Sequence, residues 1–297
     1  MDYKSYQHIE RFGTSETDGI LEGEVFLYYK IDGTNACIWL KDDGTLGFGS
    51  RKRELSLDKD NAGFMNALIK ESDRYLSYLK KHPTHIIYGE WLVPNVLKTY
   101  KKEAWKHFYV FDVYDTTREQ YLDPMEYIHE FQFLGIGTIP TIAILTNPTI
   151  EQVKGLLDRT GDFLIEKDLG EGIVIKNYEY RNKYGRQTWA KILTEDFSSK
   201  KKDGRIKNKE FKVDGKVENE IVNKYLTPEF VQKEQAKIVE IRGEWSSKYI
   251  AELLGKVFHE FWRDNWESIF KKYHYPTIDF RLLKSCCDNY VKDVVMI

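Results

Sequence analysis

The sequence predicts an α+β protein in which a larger part, built on antiparallel sheet with helices, precedes a small all-helical part. Three observations carry this. Short β-branched and aromatic runs separated by turn residues recur between residues 24 and 193. Two stretches among them keep apolar residues at helical spacing instead. Beyond a lysine- and glycine-rich segment at 201–216, the text reads as helices alone. The expected domains are therefore 1–200 and 217–297, with 201–216 as a basic linker.

In chain order, "EVFLYYKIDG", "TNACIWLKDDG" and "TLGFGSRKREL" are strands, and the Asp-Asp-Gly at 42–44 joins the last two as a hairpin. "NAGFMNALIKESDRYLSYLKKH", residues 61–82, has the period of a helix. Strands return at "THIIYGEWL" and "HFYVFDVYD", a second helix fits "PTIEQVKGLLDRTG", and "EGIVIKNYEY" and "TWAKIL" are strands again. In the tail, "TPEFVQKEQAKIVEIRG" opens with Thr227 as cap and Pro228 at the first helical position. "SSKYIAELLGKVFHEFWRDNWESIFKKY" and "IDFRLLKSCCDNYVKDVV" continue in helical style.

A formal net charge of -2 over 297 residues provides no global basic field, so any polyanion site has to be a local groove. Basic side chains slightly outnumber acidic ones from residue 196 onward, and acidic ones predominate before it. The supply of aromatic residues is rich, mostly for the core, with some free to stack on bases. Cys37, Cys286 and Cys287 lack metal-ligand spacing and read as free thiols of a reducing compartment. "MDYKSYQHIE" has no apolar signal region and no run reaches the length of a membrane span, so a cytoplasmic protein without membrane association is expected. Nothing in the sequence identifies a protein partner.

Lys30 stands inside the apolar run "YYKIDGTNACIWL". Burial disfavours a charged ammonium, and an amine that loses its proton near neutral pH becomes a nucleophile. The plain alternative is a strand lysine that reaches past its neighbours to solvent. Four further blocks decide between them: "YGEWL" at 88–92, "FYVFD" at 108–112, "EGIVIK" at 171–176 and "WAKI" at 189–192. With "KIDG" at 30–33 they resemble, in order and separation, the motif series of the covalent nucleotidyltransferases: ATP-dependent DNA ligases, RNA ligases and mRNA capping enzymes.

The resemblance implies a nucleotidyltransferase domain with ATP-grasp-like antiparallel sheets, and a catalytic set of Lys30, Glu171 and Lys191. Lys30 is the nucleophile that takes AMP as a phosphoramidate. Arg51 and Glu90 are expected at the ribose, Phe111 on the purine face, and Lys176 and Lys191 on the phosphates. Asp32 and Asn35 complete the nucleotide site. ATP is the nucleotide, and Mg²⁺ or Mn²⁺, largely hydrated, is expected near Glu171 and Glu90. "KIDGTN" and the helical tail are similar to the phage RNA ligase 2 group, written K-x-H-G-T-N. Asp32 replaces its histidine, and Trp189 stands where a lysine is common. The expected function is an ATP-dependent RNA ligase joining 3′-hydroxyl and 5′-phosphate ends, with nicked or broken RNA as partner. The alternatives are a DNA ligase, a GTP-using capping enzyme, or a noncatalytic nucleotide- or RNA-binding module.

Overall fold

In the computed structural model, which describes residues 1–93, 99–194 and 217–295, the β-rich text forms β1 (Glu10–Arg11), β2 (Glu24–Lys30), β3 (Thr34–Leu40), β4 (Leu46–Ser50), β5 (His85–Leu92), β6 (His107–Asp115), β7 (Gln120–Tyr121), β8 (Thr141–Thr146), β9 (Gly172–Lys176) and β10 (Ala190–Leu193). Two five-stranded sheets result, with orders β1-β10-β9-β2-β8 and β4-β3-β5-β6-β7. Among the described strands every ladder is antiparallel except the short parallel one between β1 and β10. This is the mixed α+β class with antiparallel sheets that the sequence predicts.

The helices among the described residues of this part are α1 (Phe64–Leu68), α2 (Ser72–Lys81), α3 (Ile128–Leu134) and α4 (Ile150–Gly155). Side chains of a strand alternate between faces. Cys37, Trp39 and Tyr88 accordingly share a core with residues of the first sheet. Their neighbours Ile38, Ile87 and Val113 pack with Phe64, Tyr75 and Phe131 from the helices on the other face. Burial on both faces explains why "HIIYGEWL" is nearly continuous in apolar residues.

Several elements differ from expectation, and α3 and β8 form where the sequence reading placed no element. The helix expected over 61–82 is divided by a 3₁₀ turn at Ile69–Glu71, where Glu71 departs to φ -119°. The second helix stops at Gly155 and is followed by a 3₁₀ turn, Leu157–Arg159. The strand "EGIVIKNYEY" stops at Lys176 because the Asn177 side chain accepts from the backbone N–H groups of Glu179 and Tyr180 and turns the chain. The hairpin at 42–44 forms as read: Gly44 takes φ 80° and Asp43 accepts from the Thr45 N–H and hydroxyl.

The chain divides into two compact units, Met1–Lys201 and Lys202–Ile297. The expected linker at 201–216 lies outside the described residues. The second unit's described elements are α5 (Val217–Tyr225), α6 (Pro228–Arg242), α7 (Ile250–Lys272) and α8 (Phe280–Val295), with a 3₁₀ turn at Ser247–Tyr249. They pack around Ile221, Val231, Leu253, Val257, Phe261 and Cys287. The Thr227 hydroxyl accepts from Phe230 N–H at 3.2 Å, so the cap acts as the sequence predicts, and Gly243 at φ 85° ends α6. The three cysteines are free thiols. Among the described residues, no helix is long and apolar enough to cross a membrane.

Candidate active site

Lys30 ends β2 directly opposite Gly172, the first residue of β9. That pairing brings the residue before Gly172 to the lysine: Lys30 Nζ lies 2.7 Å from Glu171 Oε2, with only 19% and 14% of the two side chains exposed. Lys30 therefore does not reach past its neighbours into bulk water. Gly172 is required here, because a Cβ would collide with the Ile192 carbonyl oxygen of β10.

The second sheet supplies Glu90, in β5, opposite Asn35 of β3. The backbone N–H of Gly33 donates to Glu90 Oε1 at 3.0 Å, and a Cβ on Gly33 would meet the Trp91 carbonyl oxygen at 2.5 Å. "KIDG" thus needs its glycine to pass close over β5. Burial pushes the Glu90 carboxyl from 4.5 up to about 7; Glu171 and Asp32 push in the same direction, while Lys30 and the Gly33 N–H oppose it.

A raised carboxyl costs stability once it must ionise in the fold. Between pH 4.5 and 7 the folded protein holds a proton that the unfolded chain has released, so stability falls as pH rises through that window and the cost is complete above it. Glu90→Gln is expected to flatten this slope and to gain on the order of 2 kcal/mol relative to the parent between pH 5 and pH 8. Denaturant titrations of both proteins at the two pH values provide the check.

A cleft opens beside Lys30, with Phe111, Val174, Tyr28, Glu90 and Lys176 in its wall. Lys176 is placed differently from the expectation of a phosphate ligand. It is buried, its Nζ lies 2.8 Å from Asp112 Oδ1 and donates to the Phe111 carbonyl oxygen at 2.6 Å. Its ammonium also sits 4.7 Å from the Tyr28 ring and 5.6 Å from the Phe111 ring. Burial pushes its pKa down and the Asp112 charge opposes that. Its charge is matched by Asp112 beneath the Phe111 ring, while its side chain also lines the cleft.

Lys191 pairs with Val174, and Val174 with Tyr28, which is two residues from Lys30. Paired and alternate residues share a face, so Lys191 is on the same sheet face as Lys30. Asp32 is buried and its backbone N–H donates to the Tyr100 hydroxyl at 2.7 Å; it is not in the cleft wall. Arg51 is likewise outside the wall, exposed, with Nη2 3.3 Å from His8 Nδ1. Trp189, fully buried, donates its indole N–H to Asp112 Oδ2 at 3.1 Å.

The reading of the sequence missed the N-terminal strap. Tyr6 and Ile9 line the cleft. Tyr6 stacks obliquely on Phe111 at 4.8 Å and donates its hydroxyl to Asp112 Oδ2 at 2.5 Å. The segment spans both sheets: Trp39 donates to the Met1 carbonyl and Tyr88 to that of Lys4, whereas Glu10 and Phe12 donate to Trp189 and Lys191 carbonyls beside β10. Its apolar residues, "Y" and "I" three apart, have no strand or helix period long enough to be read.

Glu171 and Glu90 both adjoin Lys30, and no cluster of three or more His, Cys, Asp or Glu among the described residues is arranged to hold a metal ion. Two carboxylates fit a divalent ion that keeps most of its water and leans on phosphate oxygens.

Comparison with known proteins places this geometry among relatives. The RNA ligase family model matches residues 23–193. Three solved structures of a Naegleria gruberi RNA ligase are similar in fold. One with PPi is 24% identical at TM-score 0.51, covering 68% of this chain and 59% of that one. A mutant with ATP and Mn is 22% identical at TM-score 0.51, covering 66% and 58%. A mutant with AMP and Mn is 21% identical at TM-score 0.52, covering 66% and 58%. The chain thus spans less than two thirds of the length of these relatives. No curated protein matches it.

Proposed function

The chain belongs to the RNA ligase family, and from that membership we propose that it joins the 3′-hydroxyl and 5′-phosphate ends of broken or nicked RNA at the expense of ATP, by way of AMP carried on Lys30. The observation that carries this reading is the Lys30–Glu171 contact of 2.7 Å at the mouth of a cleft walled by Phe111.

In the first step the Lys30 ammonium gives up a proton, with the Glu171 carboxylate in contact with it as acceptor. The neutral amine attacks the α-phosphorus of ATP; an N–P bond forms, the bond to the bridging oxygen breaks, and pyrophosphate leaves. A 5′-phosphate oxygen of RNA then attacks the same phosphorus and releases the lysine. The 3′-hydroxyl finally attacks the 5′-phosphorus and expels AMP, leaving a phosphodiester. Mg²⁺ or Mn²⁺, when bound, screens the phosphate charge near Glu171 and Glu90. Lys191, on the sheet face of Lys30, is the cation assigned to the phosphates. Glu90 and Asn35, facing each other across β3 and β5, are the polar pair assigned to the ribose, with Arg51 at the exposed end of β4.

The deciding experiment is incubation with α-labelled ATP or GTP followed by a denaturing gel. Label from ATP on the protein supports this function, label from GTP indicates a capping reaction, and no label defeats it. Phe111→Ala is expected to remove a stacking face worth about 1–3 kcal/mol and to raise the ATP concentration for half-maximal labelling at least about fivefold. Phe111→Leu recovers part of that. Unchanged ATP dependence of folded Phe111→Ala protein makes the ring a core residue only.

A further inference from the structure

The helical unit carries a surface that the adenylation chemistry does not use. Trp262, Trp266 and Phe270 recur every four residues along α7 and so share one face, about 100° round the helix from the buried Phe261, Asn265 and Ile269. Phe280, at the start of α8, joins them with ring centroids 4.9 Å from Trp262. Tyr275 comes from the intervening turn, 6.0 Å from Phe270.

Five aromatic side chains therefore form one connected group, and three are open to solvent: Trp266 46%, Tyr275 79% and Phe280 49%. The contacts of Trp262 with Phe270 and Phe280, and of Trp266 with Phe270, are edge-on at 77°, 78° and 72°. The turn is held open at a conformational cost: His274 and Tyr275 are consecutive non-glycine residues at φ 54° and 57°, pinned by the Tyr275 N–H donating to the Phe270 carbonyl.

Charge selects the occupant. Lys272 and Arg281, close in sequence to Phe270 and Phe280, are exposed, as is Lys271, which is paired with Glu267 at 3.1 Å. Of the acidic neighbours, Asp264 and Glu267 side chains are only 9% and 13% exposed, whereas Asp279 is exposed and accepts from the backbone N–H groups of Arg281 and Leu282. Exposed aromatic rings flanked by Lys272 and Arg281 fit a strand of unpaired nucleotides, with bases on the rings and phosphates on these two cations. An apolar protein surface gains nothing from the cationic edge.

We propose that this face of the helical unit binds single-stranded RNA, holding unpaired nucleotides of the substrate; the assignment of RNA rests on the ligase reading above. The test is fluorescence anisotropy of a labelled oligouridylate with the full-length protein and no ATP, alongside labelling of the same preparations by α-labelled ATP. Trp266→Ala and Tyr275→Ala are each expected to weaken binding about fivefold or more, Trp266→Phe and Tyr275→Phe to restore most of it, and none to change self-labelling. Lys272→Gln, which cannot disturb packing, is expected to reduce the dependence of log affinity on log salt by about 0.7. Binding of a blunt duplex is expected to be insensitive to the ring substitutions. Parental affinity for the oligonucleotide in Tyr275→Ala and Lys272→Gln overturns the proposal, as does a lowered melting temperature of the alanine variants with affinity unchanged, which assigns the rings to packing. Because self-labelling is read separately, loss of the ligase reading and loss of this one are distinct results.

Discussion

Lys30→Ala is expected to abolish the covalent AMP label, reducing it to background while the protein stays folded. The amine is in contact with Glu171 and at the edge of the cleft wall formed by Phe111 and Val174. Lys191 shares its sheet face but is held in a different strand, and Lys176 is buried against Asp112. Neither can substitute for an attack that depends on position. Lys30→Arg is expected to fail equally, because a guanidinium keeps its proton at any working pH and has no lone pair to offer. The measurement is the gel assay with α-labelled ATP, run beside circular dichroism. Acid-labile label on folded Lys30→Ala protein assigns the nucleophile elsewhere. Removing Lys30 also relieves Glu90 of one neighbouring cation, so in Lys30→Ala the Glu90 carboxyl moves further above 7.

The second large effect concerns stability. Asp112 is fully buried and accepts from four groups: Lys176 Nζ at 2.8 Å and the Tyr178 hydroxyl at 3.4 Å on one oxygen, the Tyr6 hydroxyl at 2.5 Å and the Trp189 indole at 3.1 Å on the other. Asp112→Ala leaves a buried ammonium uncompensated and strands three more donors. Breaking one side of a buried pair costs about 3–5 kcal/mol. At about 2–4 °C per kcal/mol for a unit of this size, the first melting transition is expected to fall by roughly 10 °C or more. Lys176→Met in the Asp112→Ala background removes the unpaired charge and is expected to recover part of the loss. Calorimetry of the parent, the single and the double variant settles it. Independence of the two substitutions denies the pair its structural role. The same network holds the floor beneath Phe111, so the single variant is also expected to need more ATP for labelling.

How much of this was legible beforehand differs from residue to residue. Lys30, Glu90, Phe111 and Glu171 were named from short blocks, and the fold brings all four to one cleft or its edge. Each lies in a strand or beside one, where period-two alternation and glycine punctuation make local structure readable. Lys176 was named from the same kind of block, and the fold puts it in the cleft wall with its ammonium against Asp112. Block order does not say that Asp112, 64 positions earlier, will meet its ammonium, since such a pairing depends on how two sheets face each other. The strap was invisible for a similar reason: Tyr6 and Ile9 acquire meaning only from Phe111, Tyr88 and Trp189, all distant in sequence.

By itself the sequence determined the α+β class, the hairpin at 42–44, the cap of α6, the family and the identity of the nucleophile candidate. These rest on interactions between near neighbours or on residue types that chemistry cannot replace: a glycine at positive φ, a threonine hydroxyl on an exposed N–H, an amine able to attack phosphorus. Tertiary structure alone decided that Lys176 belongs to a buried pair, that Glu90 titrates near 7, that the N-terminal segment walls the cleft, and that aromatic residues of α7 and its following turn stand open to solvent. Burial and charge proximity set those properties, and both are sums over groups that only folding brings within a few ångströms of one another.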